Sequence, residues 1–148
     1  MKLSLFSDYS LRVLMYAAVK HDAFLLDEVT AAYGISRHHL AKVVHRLARI
    51  GYLETTRGRG GGVRLALAPE EIRLGKLVRQ TEAQSIMVEC FDPLTNTCPL
   101  MGSCRLKGIL ASAMNGFYAS LDQHTLRDLV TGPHRREMRQ VLLGSGSV

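Results

Sequence analysis

A chain of 148 residues that is 47% hydrophobic is long enough to bury a real core and has the balance of one globular domain, which excludes a disordered or fibrous protein. No apolar run approaches the roughly 18 residues a bilayer span requires, and Asp8 and Arg12 interrupt the apolar N-terminus with no small-residue cleavage site after it, so the expectation is a cytoplasmic protein without a membrane partner. The net charge of +6 is uneven: residues 1–68 carry ten Lys or Arg against five acids, and the remainder nine against eight, which makes the first half the candidate for a polyanionic partner.

Apolar side chains at positions 11, 14, 15, 18 and 19 predict a first helix over Ser7–Val19 with Ser7 as its N-cap. A second, from about Leu26 to Tyr33, groups Leu26, Val29 and Tyr33 on one face. Gly34 supplies the positive-φ residue that ends it, and Ser36 can cap a third helix reaching Ile50, where Leu40, Val43, Val44, Leu47 and Ile50 recur at 3-4 spacing before Gly51. Two helices joined by a short Gly-containing turn make a helix-turn-helix. On the polar face of the third helix, Ser36, Arg37, His38 and His39 stand where a recognition helix meets base edges, and Lys42, His45 and Arg46 lie further along, toward phosphates. A solvated basic face would look the same. Zinc does not suit these histidines, because no ligating pair at i, i+4 is present.

Tyr52–Thr56 and Val63–Leu67 alternate as two short strands around the loop Arg57-Gly58-Arg59-Gly60-Gly61-Gly62. The loop is no phosphate cradle: position 63 is Val, no Lys-Ser or Lys-Thr follows, and it opens a strand where a nucleotide motif opens a helix. A hairpin tip with Arg57, Arg59 and Gly60 can instead lie against a DNA backbone or enter a minor groove. The fold expected is mainly α with a small β-hairpin wing: a winged helix-turn-helix followed by a long dimerisation helix.

Glu70–Glu82 reads as a further helix, and Arg105–Leu121 is the longest periodic stretch, with Leu106, Ile109, Leu110, Ala113, Phe117 and Leu121 forming one stripe. The winged unit closes its own core with its first three helices, so a second apolar helix outside it suggests a homodimer contact, as two-fold binders match two DNA half-sites. Thr125–Val130 adds a short helix, and the chain from Gly132 reads as a poorly ordered tail. The expected organisation is a DNA-binding domain over 1–82, a cysteine loop with dimerisation helix over 83–131, and a disordered tail over 132–148.

All three cysteines, Cys90, Cys98 and Cys104, fall in ECFDPLTNTCPLMGSC with spacing C-x7-C-x5-C. A disulfide leaves one thiol over, and nothing marks the chain as secreted. Structural zinc wants four ligands, usually with closer pairs. A catalytic thiolate lacks a His within the loop, and no acid–base pair accompanies it, so an enzyme is not expected. An iron–sulfur cluster is favoured over zinc, because it is larger and suits thiolates from a loop that wraps it. A zinc-stapled, non-sensing DNA-binding module stays the alternative. Asp92, Pro93, Asn96, Pro99 and Gly102 are turn formers, and Cys104 begins the long helix, whose dipole favours a thiolate. Three thiolates leave one coordination position over.

The segments LFSDYSLRVLMYAA, DEVTAAYGISRHHLAKVVHRLARIGYL, TTRGRGGGVRLA, IRLGKLVRQTE, VECFDPLTNTCPLMGSCRLKGIL and LDQHTLRDLV together resemble the nitric-oxide-sensitive transcriptional repressors of the winged-helix iron–sulfur regulator family. The resemblance covers about Leu3 to Val130. It implies a cytoplasmic homodimer on double-stranded operator DNA, with Cys90, Cys98 and Cys104 holding a cluster that reacts with nitric oxide. It also implies that Asp8, within FSDYS, is the fourth ligand, given by the other subunit. The cluster expected is [4Fe-4S], with [2Fe-2S] open. Related sensors of cluster biogenesis carry a His three residues after the third cysteine. Here that position is Lys107, which argues against that reading, though a regulator of this fold sensing iron–sulfur supply or redox state stays the alternative.

Overall fold

The computed structural model describes residues 2–144. Helix α1 runs Leu5–Lys20, α2 Leu26–Tyr33 and α3 Arg37–Arg49. The cap of α1 is Ser4, whose Oγ accepts from the Ser7 amide at 3.1 Å. Ser7, expected at the cap, lies inside the helix, fully buried, and its hydroxyl donates to Thr81 Oγ1 at 2.7 Å. That tertiary partner is what draws it inward. The α2–α3 turn follows its local signals: Gly34 is left-handed at φ 66°, and Ser36 Oγ accepts from the His39 amide at 3.3 Å.

Strands β1 (Leu53–Thr56) and β2 (Gly62–Leu65) pair antiparallel, Leu53 opposite Leu65 and Thr56 opposite Gly62. A third backbone segment joins them. Phe24, between α1 and α2, exchanges two hydrogen bonds with Val63, at 2.9 and 2.8 Å. Gly62 makes this possible, since a Cβ there would sit 2.8 Å from the Phe24 carbonyl oxygen. The wing is therefore anchored on its outer edge by the α1–α2 loop.

The helix expected over 70–82 is broken. A 3-10 turn at Pro69–Glu71 gives way to an extended Ile72–Arg73, and α4 begins only at Leu74, ending at Thr81. The break is tertiary: the Ile72 carbonyl accepts from Leu126 N at 2.8 Å, and Leu74 N donates to His124 O at 3.0 Å. Helix α5 (Arg105–Leu121) leaves the body, and α6 (Leu126–Leu129) returns to it. Leu126 and Val130 enter the same buried cluster as Leu14, Leu40, Leu47, Ile72 and Leu77. The first three helices thus do not close the core alone, and residues 83–131 are not a separate packing unit. The expected disordered tail is also corrected. His134–Leu143 form helix α7, whose Met138, Leu142 and Leu143 pack on that core; the last four residues of the chain lie outside the described ones.

Where α4 meets α5 the backbones touch. A Cβ on Gly75 would lie 2.3 Å from the Tyr118 carbonyl oxygen, so only glycine permits the crossing. Asp122, at the end of α5, accepts from the Lys76 amide at 2.7 Å and so satisfies a free donor in the first turn of α4. These contacts fix the angle at which α5, and the cysteine loop before it, leave the domain.

A candidate nucleic-acid interface and a cysteine loop

Along α3 the inward residues Leu40, Val43, Val44 and Leu47 are buried, while Arg37, His38, His39, Lys42, His45 and Arg46 are exposed. The helix therefore splits into an apolar face that locks it to α1 and a basic face left to solvent. At the wing tip Gly58 and Gly60 take φ of 92° and 73°, and the Gly61 amide donates to the Gly58 carbonyl at 3.0 Å. The tip is a tight turn of little bulk, with Arg57 and Arg59 exposed on it.

Ion pairing sharpens the charge asymmetry. In residues 2–68, Asp8 pairs with Arg12, Glu28 with Lys20, Asp27 with Arg37 and Glu54 with Arg64. The bases left without a carboxylate among the described residues are Lys2, Lys42, Arg46, Arg49, Arg57 and Arg59. All but Lys2 stand on α3 or the wing tip. Arg37 differs from its expected freedom, because Asp27 of α2 holds its guanidinium in an exposed pair that salt will screen. His39 is also engaged: its Nδ1 lies 3.0 Å from Ser36 Oγ, and its ring stands 6.2 Å from that of Tyr9. Neither restraint carries a sequence signal, since Asp27 and Tyr9 reach α3 only through the fold.

The cysteine loop is held by its acids. Asp92 accepts from the Thr95 hydroxyl at 2.6 Å and the Leu94 amide at 2.9 Å. Glu89 accepts from the Thr97 hydroxyl at 2.6 Å and from the Thr97 amide. The Thr95 and Thr97 hydroxyls, then those amides, hold both carboxyls below their ordinary range. Asn96 Oδ1 accepts from the Cys98 amide at 3.0 Å. Cys90 lies in the 3-10 turn Glu89–Phe91 and Cys104 at the N-cap of α5. All three thiols are free and half-buried.

Among the described residues, no three His, Cys, Asp or Glu side chains gather closely enough to hold one ion. The three cysteines are thus not drawn together around a single ion in the chain alone. Asp8 is occupied elsewhere, gripped on both oxygens by Arg12 at 3.1 and 3.0 Å, and that guanidinium lies over the Tyr33 ring at the end of α2. The donor chemistry nonetheless suits an iron–sulfur cluster: three unbridged, reachable thiols on one loop, one of them at a helix N-terminus that favours thiolate.

Two further features frame the loop. Glu82, 9% exposed, accepts from the Ser4 amide at 2.8 Å and the Ser4 hydroxyl at 2.7 Å. Burial opposes its ionisation, but hydrogen bonding at the carboxylate, to which Ser4 gives both its amide and its hydroxyl, outweighs that and holds the carboxyl below the ordinary 4.5. It ties the first turn of α1, which carries Asp8, to the chain leading into the cysteine loop. Glu82 had no sequence signal beyond ending a helix. On α5, no residue is buried, and Leu106 and Ile109 are 59% and 56% exposed. Leu110, Phe117 and Leu121 are half-buried, so among the described residues the apolar stripe is only partly covered, and its Leu106 and Ile109 end lies open.

Helix-turn-helix, hairpin wing and projecting helix define a winged helix-turn-helix protein. The chain belongs to the Rrf2 family, described as "Iron-dependent Transcriptional regulator", whose model matches residues 3–132. It is thus a member of a family of transcriptional regulators, not of enzymes. It is 48% identical over 132 residues to the "HTH-type transcriptional regulator NsrR" of Shouchella clausii, covering 88% of this chain and 89% of that protein. The NsrR of Bacillus subtilis is 47% identical over 132 residues, 88% of this chain and 90% of that one. Among solved structures, the oxidised form of Staphylococcus aureus CymR superposes with a TM-score of 0.68 at 25% identity, covering 89% of this chain and 98% of that chain. T. potens IscR gives a TM-score of 0.68 at 21% identity, over 88% and 86%, a likeness of fold. No helix among the described residues is long and apolar enough to cross a membrane.

Proposed function

We propose that the chain is a cytoplasmic, homodimeric repressor that binds double-stranded operator DNA and releases it in response to nitric oxide. Cys90, Cys98 and Cys104, with Asp8 from a second copy, would hold an iron–sulfur cluster, [4Fe-4S] by preference and [2Fe-2S] as the alternative. When bound, that group supplies iron with which nitric oxide reacts. The observation that carries the reading is the confinement of every thiol, free and unbridged, to one loop of a chain from this family.

The chain's own residues then have defined roles. Ser36, Arg37, His38 and His39 meet base edges, Lys42, His45 and Arg46 meet phosphates, and Arg57, Arg59 and Gly60 carry the wing onto the duplex. The open end of the α5 stripe, Leu106 and Ile109, meets its counterpart in the second copy. Asp8 has two alternative partners, Arg12 within its own chain or the cysteine loop of the other. With Asp8 on that loop, the two α3 helices are held about 34–36 Å apart, one turn of DNA. With Asp8 back on Arg12, the separation is no longer fixed. A difference of about 3–4 kcal/mol between these states lowers operator occupancy a few hundred-fold.

The test is the composition of anaerobically isolated protein. Iron, acid-labile sulfide and a brown chromophore bleached by nitric oxide are expected. A colourless protein containing zinc would replace the sensor with a zinc-stapled DNA-binding module. A chromophore that ignores nitric oxide would point to a regulator of iron–sulfur supply or redox state.

A further inference from the structure

Helix α7 lies beyond residues 3–132, the span matched by the family model, and it is strongly basic. Arg135, Arg136 and Arg139 line an open cleft of about 700 Å³ together with Gly132 and Pro133. The single acid of the helix, Glu137, faces His134 at 3.9 Å. Two of the arginines are positioned by the body of the domain. Arg139 Nη1 donates to the Val19 carbonyl at 3.0 Å, and Arg135 Nη2 lies 2.8 Å from His21 Nε2. Each contact uses one guanidinium nitrogen and leaves others for a second partner. Arg136 has no protein partner among the described hydrogen bonds and ion pairs. A neighbouring hollow adds Arg127, with Glu70 as its one carboxylate.

The position of this cluster decides what it fits. His21, which meets Arg135, is three residues from Phe24, which pairs with Val63 of the wing. Three residues of extended chain span at most about 11 Å. Arg135 is therefore tied to the loop that borders the outer edge of the wing, on the side away from β1, and α7 also packs against α2, the helix that crosses the backbone in a docked helix-turn-helix. Guanidinium groups suit phosphate oxygens, which they can hold by two parallel bonds.

We propose that the arginine face of α7, Arg135 and Arg136 foremost, is a second DNA contact that grips backbone phosphates outside the half-site read by α3 and the wing. This rests on the DNA-binding reading above and extends the footprint outward. Such a contact adds affinity and salt dependence without sequence preference.

The experiment compares two duplexes selected by the wild-type protein from a random library. One is trimmed to its half-sites, and the other carries roughly 5 bp more on each outer side, about half a helical turn. Wild-type protein should bind the longer duplex more tightly and with a steeper salt dependence. The double variant Arg135→Gln/Arg136→Gln leaves Arg139 in place to hold α7, and its thermal melt should match wild type. It should lose the gain from added flanks, about ten-fold in affinity, with the log–log salt slope falling by about 2 per chain. The single variant Arg136→Gln, which removes no protein contact, should lose part of that gain if α7 loosens in the double variant. Flanks that bring wild type no gain, or an equal gain in wild type and both variants, would overturn the proposal while leaving operator binding intact. Wild type that selects no duplex would overturn the DNA-binding reading as well.

Discussion

The winged body and the segment from the cysteine loop through α5 are built on opposite terms. In the body, Leu14, Leu40, Leu47, Ile72, Leu77 and Leu126 are fully buried, each contributing on the order of 1.5–3 kcal/mol. Its ion pairs and caps are satisfied within one chain. In the other segment the turns are closed by Glu89, Asp92 and Asn96, yet no residue of α5 is buried and three thiols stay free. The body can hold its shape alone. The loop and α5 present free thiols and exposed apolar side chains, Leu106 and Ile109 among them. Under the proposed function a regulator gains from this division, because the part proposed to change state is not the part that keeps the reading head folded.

Substitutions should expose the contrast, beginning in the body. Leu47→Ala should cost about 3–4 kcal/mol in chemical denaturation, whereas Ile109→Ala on α5 should leave the unfolding of one chain nearly unchanged and weaken self-association in sedimentation. Equal losses of chain stability would erase the distinction. Gly75→Ala tests the junction. Its Cβ would drive α5 from α4, for roughly 1–3 kcal/mol, and hydrogen exchange should rise in α5 before it rises in α3.

Glu82 gives a pH signature. Its folded carboxyl sits below the ordinary 4.5, so its stabilisation is complete above that value and fades as pH falls through the lowered one. Glu82→Gln should lose about 1–2 kcal/mol at neutral pH and flatten the acid limb of the stability curve; a wild-type limb unchanged by the substitution would remove Glu82 from the account. Arg59→Ala should leave the melt untouched, weaken binding to many sequences alike and lower the salt slope by about 1. The smallest effect on folding belongs to Cys98→Ala, within about 0.5 kcal/mol of wild type, although the chromophore should vanish. A large loss of stability there would make the loop a structural staple.

How far the sequence could be read follows the same division between local and distant causes. Gly34 and Ser36 act on their immediate neighbours, so the α2–α3 turn was legible, as were the wing strands around RGRGGG. Signals that depend on distant partners were not. Ser7 lies inside α1 and not at its cap because Thr81 takes its hydroxyl, and the helical pattern of 70–82 does not reveal the break at Ile72, because the Ile72–Leu126 hydrogen bond that makes it spans the domain. The contact of Phe24 with the wing left no trace in either segment. Helix α7 was hidden by its charge and by the Gly-Ser run after it, since only tertiary contacts show that Met138, Leu142 and Leu143 have a surface to meet. At the candidate site, the exposure of α3 and the wing followed from pattern alone. The holds of Asp27 on Arg37 and of Arg12 on Asp8 did not, because each depends on which side chains the fold leaves side by side.

The most direct test titrates one selected two-half-site duplex, under anaerobic conditions, with three forms of the protein: cluster-loaded, cluster-free and nitric-oxide-treated. The loaded form should bind a few hundred-fold more tightly than the other two, as about 3–4 kcal/mol requires. Indistinguishable affinities in all three would contradict the account, leaving a dimeric DNA-binding protein whose cysteine loop has no influence on its grip.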